Sequence, residues 1–168
     1  MTLLARFFAA SLLVAAAALP TVAQSPAPPS VKKDAIMHQA KGPFDVKIEP
    51  AAADEKVKDS AISRMTIDKQ FHGDLDAHSL GVMLATGSAK GSGGYVAIER
   101  VTGTLNGRTG SFALQHSATM DNNSPSLSIF VVPGSGTGEL AGITGKMNII
   151  IADGKHSYEF DYSLPATP

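Results

Sequence analysis

Phe44, Val46 and Ile48 alternate with Asp45, Lys47 and Glu49. That two-residue period is what a strand shows when one face meets an apolar interior and the other meets water. Pro50 ends the run, and residues 51–60 read as a charged loop or a short helical turn. Met65, Ile67 and Phe71 share one face of a second strand, a turn falls near Gly73-Asp74, and a third strand runs from about Leu75 to Ala85. A Gly- and Ser-rich loop from Gly87 to Gly94 follows.

Two hairpins can be read down to their register. Tyr95 to Leu105 and Arg108 to Ala118 flank Asn106-Gly107, a pair that accepts the two positive φ angles of a type I′ turn. Counting outward, Val101 faces Phe112, Glu99 faces Leu114, Ala97 faces His116 and Tyr95 faces Ala118 on the more apolar side of the ribbon. Arg100/Ala113, Ile98/Gln115 and Val96/Ser117 occupy the other side. Asp153-Gly154 joins Met147–Ala152 to Lys155–Leu164 in the same way, with Ile151 opposite His156, Ile149 opposite Tyr158 and Met147 opposite Phe160. Leu127 to Val132 is a further strand, and Glu139 to Gly145 is too short for a long helix.

These runs make eight strands and no long helix. Eight strands with one apolar face suit an antiparallel barrel, filled by side chains or wide enough for one small ligand, and a two-sheet sandwich would use the same alternation. The barrel is the preferred reading.

Composition narrows the picture. Of 168 residues, 43% are apolar and 17% charged, enough for one packed domain. A net charge of -1 with interspersed signs leaves no electrostatic footprint for nucleic acid. Cysteine is absent, which removes disulfides, thiolate metal sites and a cysteine nucleophile. Arg6, the apolar run from Phe7 to Leu19 and the small residues up to Ala23 have the pattern of an export signal, residues 1–23, cleaved after Ala23. About 13 apolar residues at ~1.5 Å each are too short to span a membrane, so no stable insertion is expected once the signal is removed. Residues 24–40 then form a Pro-rich tether and N-terminal segment, and 41–165 the barrel domain, working in the periplasm or outside the cell.

Three segments, MTIDKQFHGDLDAHSLGVML, GGYVAIERVTGTLNGRTGSFALQHSATM and VVPGSGTGELAGITGKMNIIIADGKHSYEFDYSL, closely resemble the bacterial family called domain of unknown function 3224, over about Lys41 to Leu164. The resemblance implies a barrel similar to that of plant allene oxide cyclase, a relative of the dirigent proteins. It implies no reaction and no catalytic residue.

Glu99 and His116 are the candidate catalytic residues. The register sets them diagonally on the apolar face, where a carboxylate and an imidazole can share a proton or orient the polar end of a ligand. A satisfied structural pair, or a pairing of Glu99 with Arg100 or Arg108, fits the same placement. Tyr95, Phe112, His116, Tyr158 and Phe160 are candidates to line a pocket for a small apolar molecule, and aromatics on an inward face are equally plain core. His72, Asp74, Asp76 and His78 share a face only if their strand is continuous, so no metal site is expected and no cofactor is assigned. Gly134 to Gly138 lacks the lysine of a phosphate loop, and no Ser sits in a nucleophile elbow. Asn122-Asn123-Ser124 matches a glycosylation acceptor by chance. The expected function is small-molecule binding. The alternatives are a metal-independent isomerase or cyclase-like enzyme, or an interaction protein forming a homo-oligomer as the plant relatives do.

Overall fold

The computed structural model describes residues 36–52, 55–87 and 90–166. The expected signal peptide and Pro-rich run lie outside the described residues. Among the described residues nine strands follow in order: β1 (Met37–Ala51), β2 (Ser63–Phe71), β3 (Leu75–Thr86), β4 (Gly93–Leu105), β5 (Arg108–Asp121), β6 (Ser124–Val131), β7 (Thr137–Gly138), β8 (Thr144–Ala152) and β9 (Lys155–Ser163). The sheet order β4-β3-β2-β1-β9-β8-β6-β5 returns to β4 through direct β4–β5 pairing, and every pairing is antiparallel. Eight strands therefore close into a barrel, and the two-residue β7 lies along β5.

Both registers counted from the turns are the ones observed. Val101 pairs with Phe112 and Ala97 with His116, while Ile151 pairs with His156 and Met147 with Phe160. The cause is local: Asn106 and Gly107 take φ of 46° and 80°, and Asp153 and Gly154 take 51° and 73°. A third turn of this kind, at Asn122 and Asn123 (φ 47° and 66°), joins β5 to β6. The glycosylation-like triplet is thus a hairpin turn.

β1 is longer than the alternation at Phe44 suggested. It begins at Met37, four residues ahead of the expected domain start at Lys41, and changes neighbour halfway. Residues Met37–Phe44 pair with β9, and Phe44–Ala51 pair with β2. Pro43 sits at the changeover, where its missing N–H costs little and its carbonyl accepts the His72 N–H at 3.0 Å.

The lumen is filled at one end. Phe112 stacks on Phe160 at 5.6 Å and Phe160 on Tyr162 at 5.3 Å, while Phe71 meets Tyr158 edge-on at 5.5 Å. Leu140 and Ile143, from the short segment after β7, are buried with them. The Tyr158 hydroxyl, buried here, donates to the His72 carbonyl (3.0 Å) and accepts from the Leu75 N–H (2.8 Å), fixing the β2–β3 corner to the core. Outside, Leu80, Val82, Leu84, Val96 and Ile98 expose an apolar strip along β3 and β4.

The filled end should dominate stability. Phe112→Ala is expected to cost about 3–5 kcal/mol in denaturant unfolding, while Leu80→Ser on the outer strip should stay within about 0.5 kcal/mol of the parent.

Candidate functional site

The inward positions of four neighbouring strands carry polar side chains at one level of the barrel. Lys69 on β2 lies opposite Ser79 on β3, and β4 and β5 supply Glu99 and His116. Glu99 is 0% exposed, His116 3% and Lys69 4%. Glu99 Oε1 accepts from Lys69 Nζ at 2.9 Å and pairs with His116 Nε2 at 3.0 Å. Its Oε2 accepts from the Ser79 hydroxyl at 3.1 Å. A buried carboxylate is tolerable only when satisfied in this way.

Lys69 reaches Glu99 across the intervening β3, a span of about 10 Å between strand axes. Gly81 pairs with Glu99 on that strand, and a Cβ at Gly81 would lie 2.7 Å from the Glu99 Cβ. Glycine there leaves room for the carboxylate side chain to enter the lumen. Lys69 Nζ also sits 5.4 Å from the Phe44 ring centroid and 5.7 Å from that of Phe71. Those ring faces favour a cation.

Burial alone would raise the Glu99 carboxyl. The His116 hydrogen bond and the Lys69 charge together outweigh it and hold the carboxyl below its ordinary value. The Tyr95 hydroxyl is raised by burial and by the Glu99 charge.

Above this belt the barrel is open. A cavity of about 270 Å³ receives at least one side chain from each of the eight barrel strands. Val46 and Ile48 of β1, Ile67 of β2, Met83 of β3, Leu127 of β6 and Ile149 and Ile151 of β8 form its apolar wall. Lys69, Tyr95, His116 and His156 supply the polar edges. The cavity adjoins the weakest seam between the eight barrel strands: β6 and β8 share only the pairs Ile129–Met147 and Phe130–Lys146, and beyond them Leu127 and Ile149 are not paired.

Of the expected pocket residues, Tyr95 and His116 line this cavity. Phe112, Tyr158 and Phe160 do not, being packed in the filled end, where their size serves the core. Glu99 and His116 are brought together, with Glu99 behind the cavity wall. Arg100 and Arg108 are not its partners: the Arg100 guanidinium points outward to the Ser111 hydroxyl (2.7 Å) and the Ser135 carbonyl (3.2 Å), and exposed Arg108 opens β5 beside the Asn106-Gly107 turn. The partner is Lys69, which the sequence reading passed over although Met65, Ile67 and Phe71 imply that residue 69 faces inward. His72 pairs with Asp45 (3.1 Å) and His78 with Asp68 (2.8 Å) on the exterior. No group of three or more His, Asp or Glu among the described residues could hold a metal ion. Among those residues, too, no helix is long and apolar enough to cross a membrane.

Fold and site together define a closed antiparallel eight-stranded barrel with one filled end and one open, apolar end floored by buried charge. The chain belongs to the family described as Protein of unknown function (DUF3224), whose profile matches residues 40–162. It is similar to the crystal structure of a DUF3224 protein of unknown function from Shewanella oneidensis, at 46% identity, with a TM-score of 0.71, over 78% of this chain and 100% of that one. No curated protein matches it.

The Glu99 carboxyl gives the fold an acid limit. Its value is lower folded than unfolded, so its stabilisation is complete above the unfolded value near 4.5 and disappears as pH falls through the folded one. Denaturant titrations across this range should show that loss in the parent and a flatter profile in Glu99→Gln. At neutral pH Glu99→Gln should cost about 3–5 kcal/mol by stranding Lys69, and the Lys69→Met/Glu99→Gln pair should lose less than the two single changes added together.

Proposed function

We propose that this protein binds one small, mainly apolar molecule in the open end of the barrel, with the molecule's polar end against Lys69 and His116. The observation that carries this reading is the cavity itself: a lining drawn from all eight strands, apolar on β1, β2, β3, β6 and β8, that closes on a floor of buried, positioned polar groups. That combination is how small-molecule sites are generally built, and about 270 Å³ falls just below the ~300–1,000 Å³ such sites occupy. A small ligand is therefore indicated. An allene oxide cyclase-like lumen, as the sequence resemblance implies, would use the same space. The export pattern of residues 1–23 supports a site of action in the periplasm or outside the cell.

An isomerase or cyclase-like reaction is less well supported. Both Glu99 oxygens are engaged, and its lowered carboxyl is a weak base. Glu99 thereby acts as a positioning residue for His116 and Lys69.

The neutral fluorophore N-phenylnaphthylamine tests the reading. The protein should enhance its emission saturably, Ile149→Trp should abolish the enhancement by filling the cavity, and Leu80→Ser should leave it unchanged. Equal enhancement by the parent and Ile149→Trp would show that the cavity is not the site.

A further inference from the structure

Resting on that reading, we infer that the ligand is an organic monocarboxylate, and that its binding brings a proton onto His116.

Lys69 presents three N–H donors in a site where it is 4% exposed. Glu99 Oε1 is its one hydrogen-bond acceptor among the described residues, and the Phe44 and Phe71 rings are its cation–π neighbours. A buried ammonium with two N–H bonds lacking an oxygen acceptor, on the wall of a cavity, calls for an acceptor from inside that cavity. His116 is similarly half-used. Nε2 is committed to Glu99, and the other ring nitrogen has no partner among the described residues while the ring lines the same space.

Charge decides between a neutral acceptor and an anion. With His116 neutral, Lys69 and Glu99 cancel. With His116 protonated, the floor carries one net positive charge and both ring nitrogens donate, Nε2 to Glu99 and Nδ1 into the cavity. The groups facing His116 are Glu99 and Tyr95 on β4, Lys69 on β2 and His156 on β9. Its β6 neighbour across the sheet is the aliphatic Ile129. Glu99 is already neutralised by Lys69, and the Tyr95 hydroxyl is held in its neutral form, raised by burial and by Glu99. Among the described residues no uncompensated negative charge faces the cavity, so a carboxylate meets Lys69 and a protonated His116 without repulsion. The apolar wall then takes the hydrocarbon body. An alcohol of the same length would gain the wall and hydrogen bonds to the floor, but not the ion pairing of a carboxylate with two cationic donors.

Octanoate and octanol, alike in chain length, separate these cases in isothermal titration calorimetry on the purified protein. Octanoate should bind about 10–100-fold more tightly, the range expected for hydrogen bonds to charged groups. In mildly alkaline buffers of differing ionisation enthalpy it should take up on the order of one proton, and its affinity should fall as pH rises. Lys69→Met should erase the preference for octanoate, and His116→Gln should abolish the proton uptake. The parent comparison stands even where a variant is unstable. Octanol binding as tightly as octanoate overturns the carboxylate assignment and leaves the binding reading in place. A preference for octanoate with no proton uptake overturns the role of His116. Neither compound binding, together with no uptake of N-phenylnaphthylamine, overturns the binding reading itself.

Discussion

A carboxylate in the interior of a barrel needs donors from its neighbours, and Glu99 draws them from three other strands. Lys69 comes from β2, Ser79 from β3 and His116 from β5, all converging on β4. Side chains alternate in and out with period two, so a slip of one residue between any two of these strands would turn a donor to solvent and leave Glu99 short of a partner. Apolar residues tolerate some exchange of position. A buried charge does not, because an unpaired ion in the lumen costs several kcal/mol. The polar belt thus sets the alignment of half the barrel wall, even where an apolar belt of equal volume would match it in total stability.

The belt also marks where the lumen changes character. On one side, Phe71, Phe112, Tyr158, Phe160 and Tyr162 fill the cross-section, and Leu140 and Ile143 complete the packing. On the other, the inward residues are Val46, Ile48, Ile67, Met83, Leu127 and Ile149, aliphatic side chains that leave about 270 Å³ between them. The difference follows from residue size and from the sheet. β4 and β5 pair along thirteen residue pairs, whereas β6 and β8 pair at two, so the open end has a slack seam on one side. A site at this end can yield at the seam while its polar floor stays fixed to the best-paired strands.

Much of this was legible in the chain. The three turns depend on residues that tolerate positive φ, and two of them, Asn106-Gly107 and Asp153-Gly154, announce themselves by carrying glycine. From those the pairing of Glu99, Ala97, Leu114 and His116 followed by counting. Asn122-Asn123 was less visible because asparagine is only an occasional substitute for glycine there. Lys69 was missed for a deeper reason. A lysine in an alternating strand reads as an outward residue by type although it is inward by position, and only the location of its counter-charge, two strands and 30 residues away, resolves the conflict. Which aromatics would fill the core and which would border the cavity was also not readable, since it depends on height along the barrel. Tyr95 and Phe112 both point inward, at opposite ends of the same hairpin.

The geometry of Glu99 bears directly on what such a site can do. A general base must be free to meet the proton it removes, with a pKa close to the working pH. Glu99 is fully buried, engaged at both oxygens and stabilised as an anion, so it meets neither condition. What it does is hold Lys69 and His116 in place while cancelling the charge of the lysine. Donors fixed in advance by buried partners need not reorganise when an acceptor arrives, so each hydrogen bond retains more of its strength than it would at a flexible surface. Recognition of a polar end is therefore the task for which this arrangement is suited. In the proposed binding mode the apolar wall, which carries no group able to attack or cleave a bond, would supply the remaining affinity by burial alone.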